Sequence, residues 1–135
     1  MDRNAELRAG GPRARYLRGV SAFADPEHEL EPREVARRMR EDGWLVVDVR
    51  EPYEREAGRI AGTRHIELER LASRAETIPR DRPVVFQCRL GARSGLATRA
   101  FRAAGWDAYN LHGGIQAWVE AGLEIEPADG HVADH

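Results

Sequence analysis

The chain has 135 residues, 41% of them hydrophobic and 33% charged, which suits one soluble domain with one core and leaves too little for two. All 21 basic residues are arginine, set against 23 acidic ones for a formal charge of −2, and this balance argues against general nucleic-acid binding, which needs a positive surplus on one face. No apolar run exceeds Trp44 to Val47, so neither a membrane span nor a secretory signal is expected, and the cytoplasm is the expected compartment.

Residues 1–25 carry Arg3, Arg8, Arg13, Arg15 and Arg18 against Asp2, Glu6 and Asp25, with Gly10-Gly11-Pro12 interrupting any helical pattern. This composition predicts a flexible extension, with Tyr16 to Phe23 as the stretch able to dock on the domain. The domain itself is expected over residues 26–127. Pro32 opens a helix with Val35, Ala36 and Met39 on one face, and Gly43 ends it. Trp44 to Val47 then reads as a strand buried on both faces, with Asp48 at its C-terminal end. A short helix over Pro52 to Ala57, a brief strand near Arg64 to Ile66 and a helix from Leu68 to Glu76 follow. Pro83 to Gln87 is the second strong buried strand, and Cys88 is the first residue past it. After the loop Arg89 to Arg93, Ser94 is placed to cap a helix carrying Ala97, Ala100, Phe101 and Ala104, which Gly105 stops. Asp107 to Leu111 reads as the last strand, Ile115 to Ala121 as the last helix, and residues 128–135 as a C-terminal tail. Strands alternating with helices predict an α/β fold with a central, mainly parallel sheet and helices on both faces. Such sheets hold their sites at the C-terminal strand ends, where Asp48, Cys88 and the Gly113-Gly114 turn fall.

Cys88 is the single cysteine, which excludes an internal disulfide, a CxxC redox pair and a multi-cysteine zinc site. A cysteine at a strand end, followed by a compact loop and a helix start, makes an anion cradle of inward N–H groups and partial positive charge. Such a field favours the thiolate, the nucleophilic form of the side chain. Arg93 is the residue expected to clamp an anionic substrate, Arg89 adds charge at the rim, and Gly91 permits the tight turn. A cysteine on a strand is more often a small buried hydrophobe, but Arg, Gly, Arg and Ser before a helix reverse that balance. His131 and His135 have the spacing of a metal pair but read as tail residues, and no metal or cofactor is expected.

Four stretches together resemble a known family. Val47-Asp48-Val49-Arg50-Glu51-Pro52-Tyr53-Glu54 is similar to a DVR-E-P-x-E segment, and Gly58 to Thr63 stands where that family reads GHIPGA. Cys88-Arg89-Leu90-Gly91-Ala92-Arg93-Ser94 is similar to CRxGxRS, and Leu111 to Trp118 to the closing L-x-GG-x-x-x-W. From about Leu30 to Pro127 the chain resembles a single-domain rhodanese, with Arg59 and Ala61 in place of the usual histidine and proline. The resemblance implies a five-stranded sheet and thiosulfate sulfurtransferase chemistry. Sulfane sulfur would pass from thiosulfate or a similar small donor, through a Cys88 persulfide, to cyanide or a thiol, a sulfur-accepting protein being a further candidate. It casts Arg89, Leu90, Gly91, Ala92, Arg93 and Ser94 as the substrate-binding loop, and Asp48, Arg50, Gly113 and Gly114 as structural neighbours of the site. Two alternatives stand beside it: a non-catalytic rhodanese-like binding module, and a cysteine-dependent phosphatase or arsenate reductase. Four residues separate Cys88 from Arg93, one fewer than in the phosphatase signature.

Overall fold

A computed structural model describes residues 25–135; the expected extension, with its docking stretch Tyr16 to Phe23, lies outside the described residues. The elements run β1 (Glu29–Leu30), α1 (Pro32–Asp42), β2 (Leu45–Asp48), α2 (Pro52–Ala57), β3 (Arg64–His65), α3 (Leu71–Arg74), β4 (Val84–Gln87), α4 (Ala92–Ala103), β5 (Ala108–Leu111) and α5 (Gly114–Glu120). The strands form one sheet of five in the order β1-β5-β4-β2-β3, and every pairing is parallel. The fold is therefore the α/β architecture expected from the alternation.

Each central strand is apolar on both sides because both sides are covered. Val47 on β2 and Val84 and Phe86 on β4 join a core with Leu71, Ile78, Ala97, Phe101 and Trp106, beneath α4 and the segment 68–78. Val46 and Val85 face the other way into a second core with Val35 of α1 and Ile115 and Trp118 of α5. No helix among the described residues is long and apolar enough to cross a membrane.

Two expectations change in detail. The helix from Leu68 to Glu76 is a single α-helical turn, α3, between two 3-10 turns, Leu68–Arg70 and Ala75–Thr77. Strand β1 went unread, since two residues are too few to show alternation. The chain leaves β2 towards one sheet edge and β4 towards the other, so the loops after Asp48 and Gln87 diverge and open a crevice at adjacent strand ends.

Candidate active site

Cys88 follows β4 at this crevice and is 1% exposed. Its Sγ accepts hydrogen bonds from the Gly91 amide at 3.1 Å, the Ser94 amide at 3.4 Å and the Ser94 hydroxyl at 3.2 Å. Ser94 is not the cap of α4: Gly91 is, at φ 104, a backbone state that side chains rarely tolerate. The helix thus starts earlier than the serine suggested, Ser94 sits in its first turn, and the hydroxyl is spent on sulfur. The N-terminal end of the twelve-residue α4, with its partial positive charge, faces the same atom.

The loop is held from behind. Ile115 and Gln116 at the start of α5 donate their amides to the carbonyls of Cys88 at 2.9 Å and Arg89 at 3.1 Å. Because a peptide unit is planar and its C=O and N–H oppose each other, anchoring these carbonyls turns the following amides of Arg89 and Leu90 away from α5. The Gly113-Gly114 turn permits this approach: a Cβ on Gly114 would lie 2.3 Å from the Arg89 carbonyl oxygen. A third anchor comes from β5, where Asn110 Nδ2 donates to the Gly91 carbonyl at 3.0 Å and to the buried Glu29 carboxylate at 2.9 Å. His112 Nδ1 lies 3.3 Å from the same carboxylate, whose hydrogen bond raises the imidazole pKa against the opposing effect of burial.

Beneath the loop lies a buried charge network. Arg50, fully buried, binds both oxygens of Asp48, each at 2.9 Å, and donates to the carbonyls of Glu54 at 3.3 Å and Gly58 at 2.8 Å. Arg55 reaches the same Asp48 at 3.2 Å. Arg93, the residue expected to clamp an anionic substrate, places both terminal nitrogens on Glu54, each at 2.9 Å. Burial alone would push the Glu54 pKa up. The Arg93 guanidinium and the Glu51 amide outweigh that and hold the carboxyl below its ordinary range. The same Glu54 bond raises the pKa of Arg93. Arg89, at the rim, donates to Asp134 at 3.1 Å.

These groups enclose a mouth of about 180 Å³ lined by Cys88, Arg89, Leu90, Ala92, Arg93 and His135. Of the residues expected at the site, Asp48, Arg50, Gly113 and Gly114 brace it from below and behind. Leu90 points out to solvent. Sequence reasoning missed Glu29, Asn110, Arg55 and the tail residues Asp134 and His135, and placed Glu54 only within a family-like segment, with no partner. Asn110, just before the Leu111-His112-Gly113-Gly114 stretch, had a usable signal: a polar residue alternating into a buried strand. Among the described residues the clusters able to hold a cation are Asp25, Glu27 and His28, and Glu51, Glu67 and Glu69. Neither contains Cys88, His131 or His135.

The family model of the Rhodanese-like domain matches residues 31–121. The chain is 43% identical over 74 residues to the uncharacterised protein YqhL of Bacillus subtilis, an alignment spanning 54% of this chain and 59% of YqhL. It is 37% identical over 97 residues to thiosulfate sulfurtransferase GlpE of Pseudomonas aeruginosa, covering 71% of this chain and 84% of GlpE. The crystal structure of a rhodanese-related protein from Thermoplasma volcanium superposes with a TM-score of 0.68 at 28% identity, over 73% of this chain and 96% of that one.

Proposed function

The chain belongs to the rhodanese-like domain family, and we propose that it is a sulfurtransferase which carries sulfane sulfur as a persulfide on Cys88. Similarity to proteins named as sulfurtransferases supports the general activity. The observation that carries the finer reading is the sulfur atom at the mouth of the crevice with three hydrogen-bond donors on it.

In the proposed cycle the Cys88 thiolate attacks the outer sulfur of thiosulfate. A bond forms between Sγ and that sulfur while the sulfur–sulfur bond to sulfite breaks, and sulfite leaves with the electron pair. The Gly91 and Ser94 donors, already aimed at Sγ, support the negative charge of the Cys88 thiolate before it attacks and again when it leaves the persulfide. Cyanide or a thiolate then attacks the terminal sulfur, and Cys88 departs as thiolate, ready for another round. Cys88 being the only cysteine in the chain, no neighbouring thiol can collapse the persulfide into an internal disulfide.

The phosphatase reading is disfavoured by the loop. Four residues lie between Cys88 and Arg93, one fewer than in the phosphatase signature, so the cradle offers one backbone N–H fewer to a phosphoryl group.

Intact mass measurement tests the proposal. Incubation with thiosulfate should add one sulfur to the protein, cyanide should remove it with release of thiocyanate, and Cys88→Ser should never acquire it. A folded wild-type protein whose mass stays unchanged with thiosulfate and with low-molecular-weight persulfides would overturn the reading in favour of a binding module.

A further inference from the structure

The chain beyond α5, outside the residues matched by the family model, returns to the mouth of the crevice. Arg59 and Glu126 exchange both backbone hydrogen bonds, at 2.9 and 2.8 Å, and their side chains pair at 3.4 Å. Farther on, the His131 amide donates to the carbonyl of Ala57 at 3.0 Å. Gly58 leaves room for this passage, since a Cβ there would lie 2.5 Å from the His131 carbonyl oxygen. Val132 packs on the core shared by α1 and α5. Tyr53 donates its hydroxyl to the Asp134 carbonyl at 3.1 Å. The segment is thus anchored on both sides of α2 before Asp134 meets Arg89 and His135 joins the lining of the mouth.

Both arginines at the mouth therefore carry carboxylates, and the two attachments differ in kind. Glu54 is buried and holds Arg93 through two bonds. Asp134 is 97% exposed and holds Arg89 through one, while Arg89 Nε is buried with no acceptor among the described residues. An exposed single contact is weak and readily exchanged for another anion.

We propose that residues 131–135 act as a gate that selects among sulfur donors by charge, with Asp134 as the specificity-determining residue. An anionic donor such as thiosulfate must take the place of the Asp134 carboxylate on Arg89 and meets its repulsion on approach, whereas an uncharged reagent enters without that exchange. The choice of sulfur donors as the gated class rests on the sulfurtransferase reading; the selection by charge does not.

Alkylation of Cys88 reads the gate without any sulfur transfer. The rate with iodoacetate, an anion, is compared with that of neutral iodoacetamide in the wild type, Asp134→Asn, Arg89→Ala and the double variant. Asp134→Asn should raise the iodoacetate-to-iodoacetamide ratio about threefold, a gain that shrinks with added salt and is reduced in the Arg89→Ala background, where only the repulsion by Asp134 is left to relieve. In turnover assays the same substitution should lower the KM for thiosulfate by about the same factor, the change falling on KM rather than kcat. A chain ending at Gly130 should show the same shift in ratio. Equal ratios in the wild type and Asp134→Asn would overturn the gate. A shifted ratio in a protein that transfers no sulfur would uphold the gate and sink the proposed function instead.

Discussion

The floor of the crevice and its rim use one chemistry in two settings. In the floor, Glu54 and Asp48 are fully buried against Arg93 and Arg50, each pair through two hydrogen bonds. At the rim, the solvated Asp134 touches Arg89 once. Desolvation separates the two cases. A fully buried carboxylate has no water to turn to and keeps its arginine, while one that is 97% exposed exchanges its partner freely. The floor is accordingly a scaffold that fixes the Cys88 loop, and the rim is the part free to respond to what arrives.

The sharpest way to break this contrast is to remove the buried carboxylate. Glu54→Gln keeps the shape but removes the charge that holds Arg93, 19% exposed at the mouth, and weakens the link between α2 and the loop, so we expect a loss of about 2 kcal/mol, read from urea unfolding midpoints at constant m-value. The effect should depend on acid in a defined sense. Because the folded pKa of Glu54 lies below the ordinary carboxylate range, its contribution is fully present above that range and fades as pH falls through the folded value. The gap between wild type and Glu54→Gln should therefore persist through mildly acidic pH and close only in strong acid. A gap independent of pH would mean that the glutamate contributes through shape rather than charge.

A smaller effect is expected at the back of the site, where His112 meets Glu29, with Glu31 adding attraction. The imidazole pKa is raised from 6.5, so its stabilisation is fully present below that value and is lost as pH rises through the folded pKa. Replacing His112 by Gln should cost about 1 kcal/mol at pH 6 and progressively less as the medium turns alkaline. Since Glu29 also holds Asn110, and Asn110 holds the Gly91 carbonyl, the change in stability between pH 6 and an alkaline medium, read by chemical denaturation, should be accompanied by a parallel change in Cys88 alkylation rate. Stability that changes without any change in alkylation would show that this branch does not reach the loop.

The same division explains how much could be read from the chain. The strands β2 and β4, the cysteine loop and the Gly113-Gly114 turn are written in contiguous residues, whose apolar runs and glycines have strong local meaning. Ser94 misled because a serine before a helical stretch is a good cap taken alone. Only the closed loop reveals that Gly91 begins the helix and that the hydroxyl goes to Sγ. The Arg93–Glu54 and Asn110–Glu29 pairs join residues 39 and 81 positions apart, and no periodicity reports such a partnership. The tail was hardest to read, since Gly130 and exposed Asp134 are as common in solvated ends as in a strap, and its docking depends on the space left by Gly58.

The smallest expected change in stability is the most informative about the rim. Asp134→Asn removes one contact from a carboxylate that water already solvates, so the side chain it leaves, Arg89, is rehydrated rather than stranded. Its urea midpoint should match the wild type within the scatter of replicate melts, even though the substitution alters which reagents reach Cys88. The backbone anchors of the segment, the bonds of Arg59 with Glu126 and of His131 with Ala57, do not involve the Asp134 carboxylate and should survive the change. If Asp134→Asn instead lowered the midpoint as Glu54→Gln does, the rim would be a continuation of the floor, and the tail would be a structural strut whose effect on access follows from loosened packing rather than from charge.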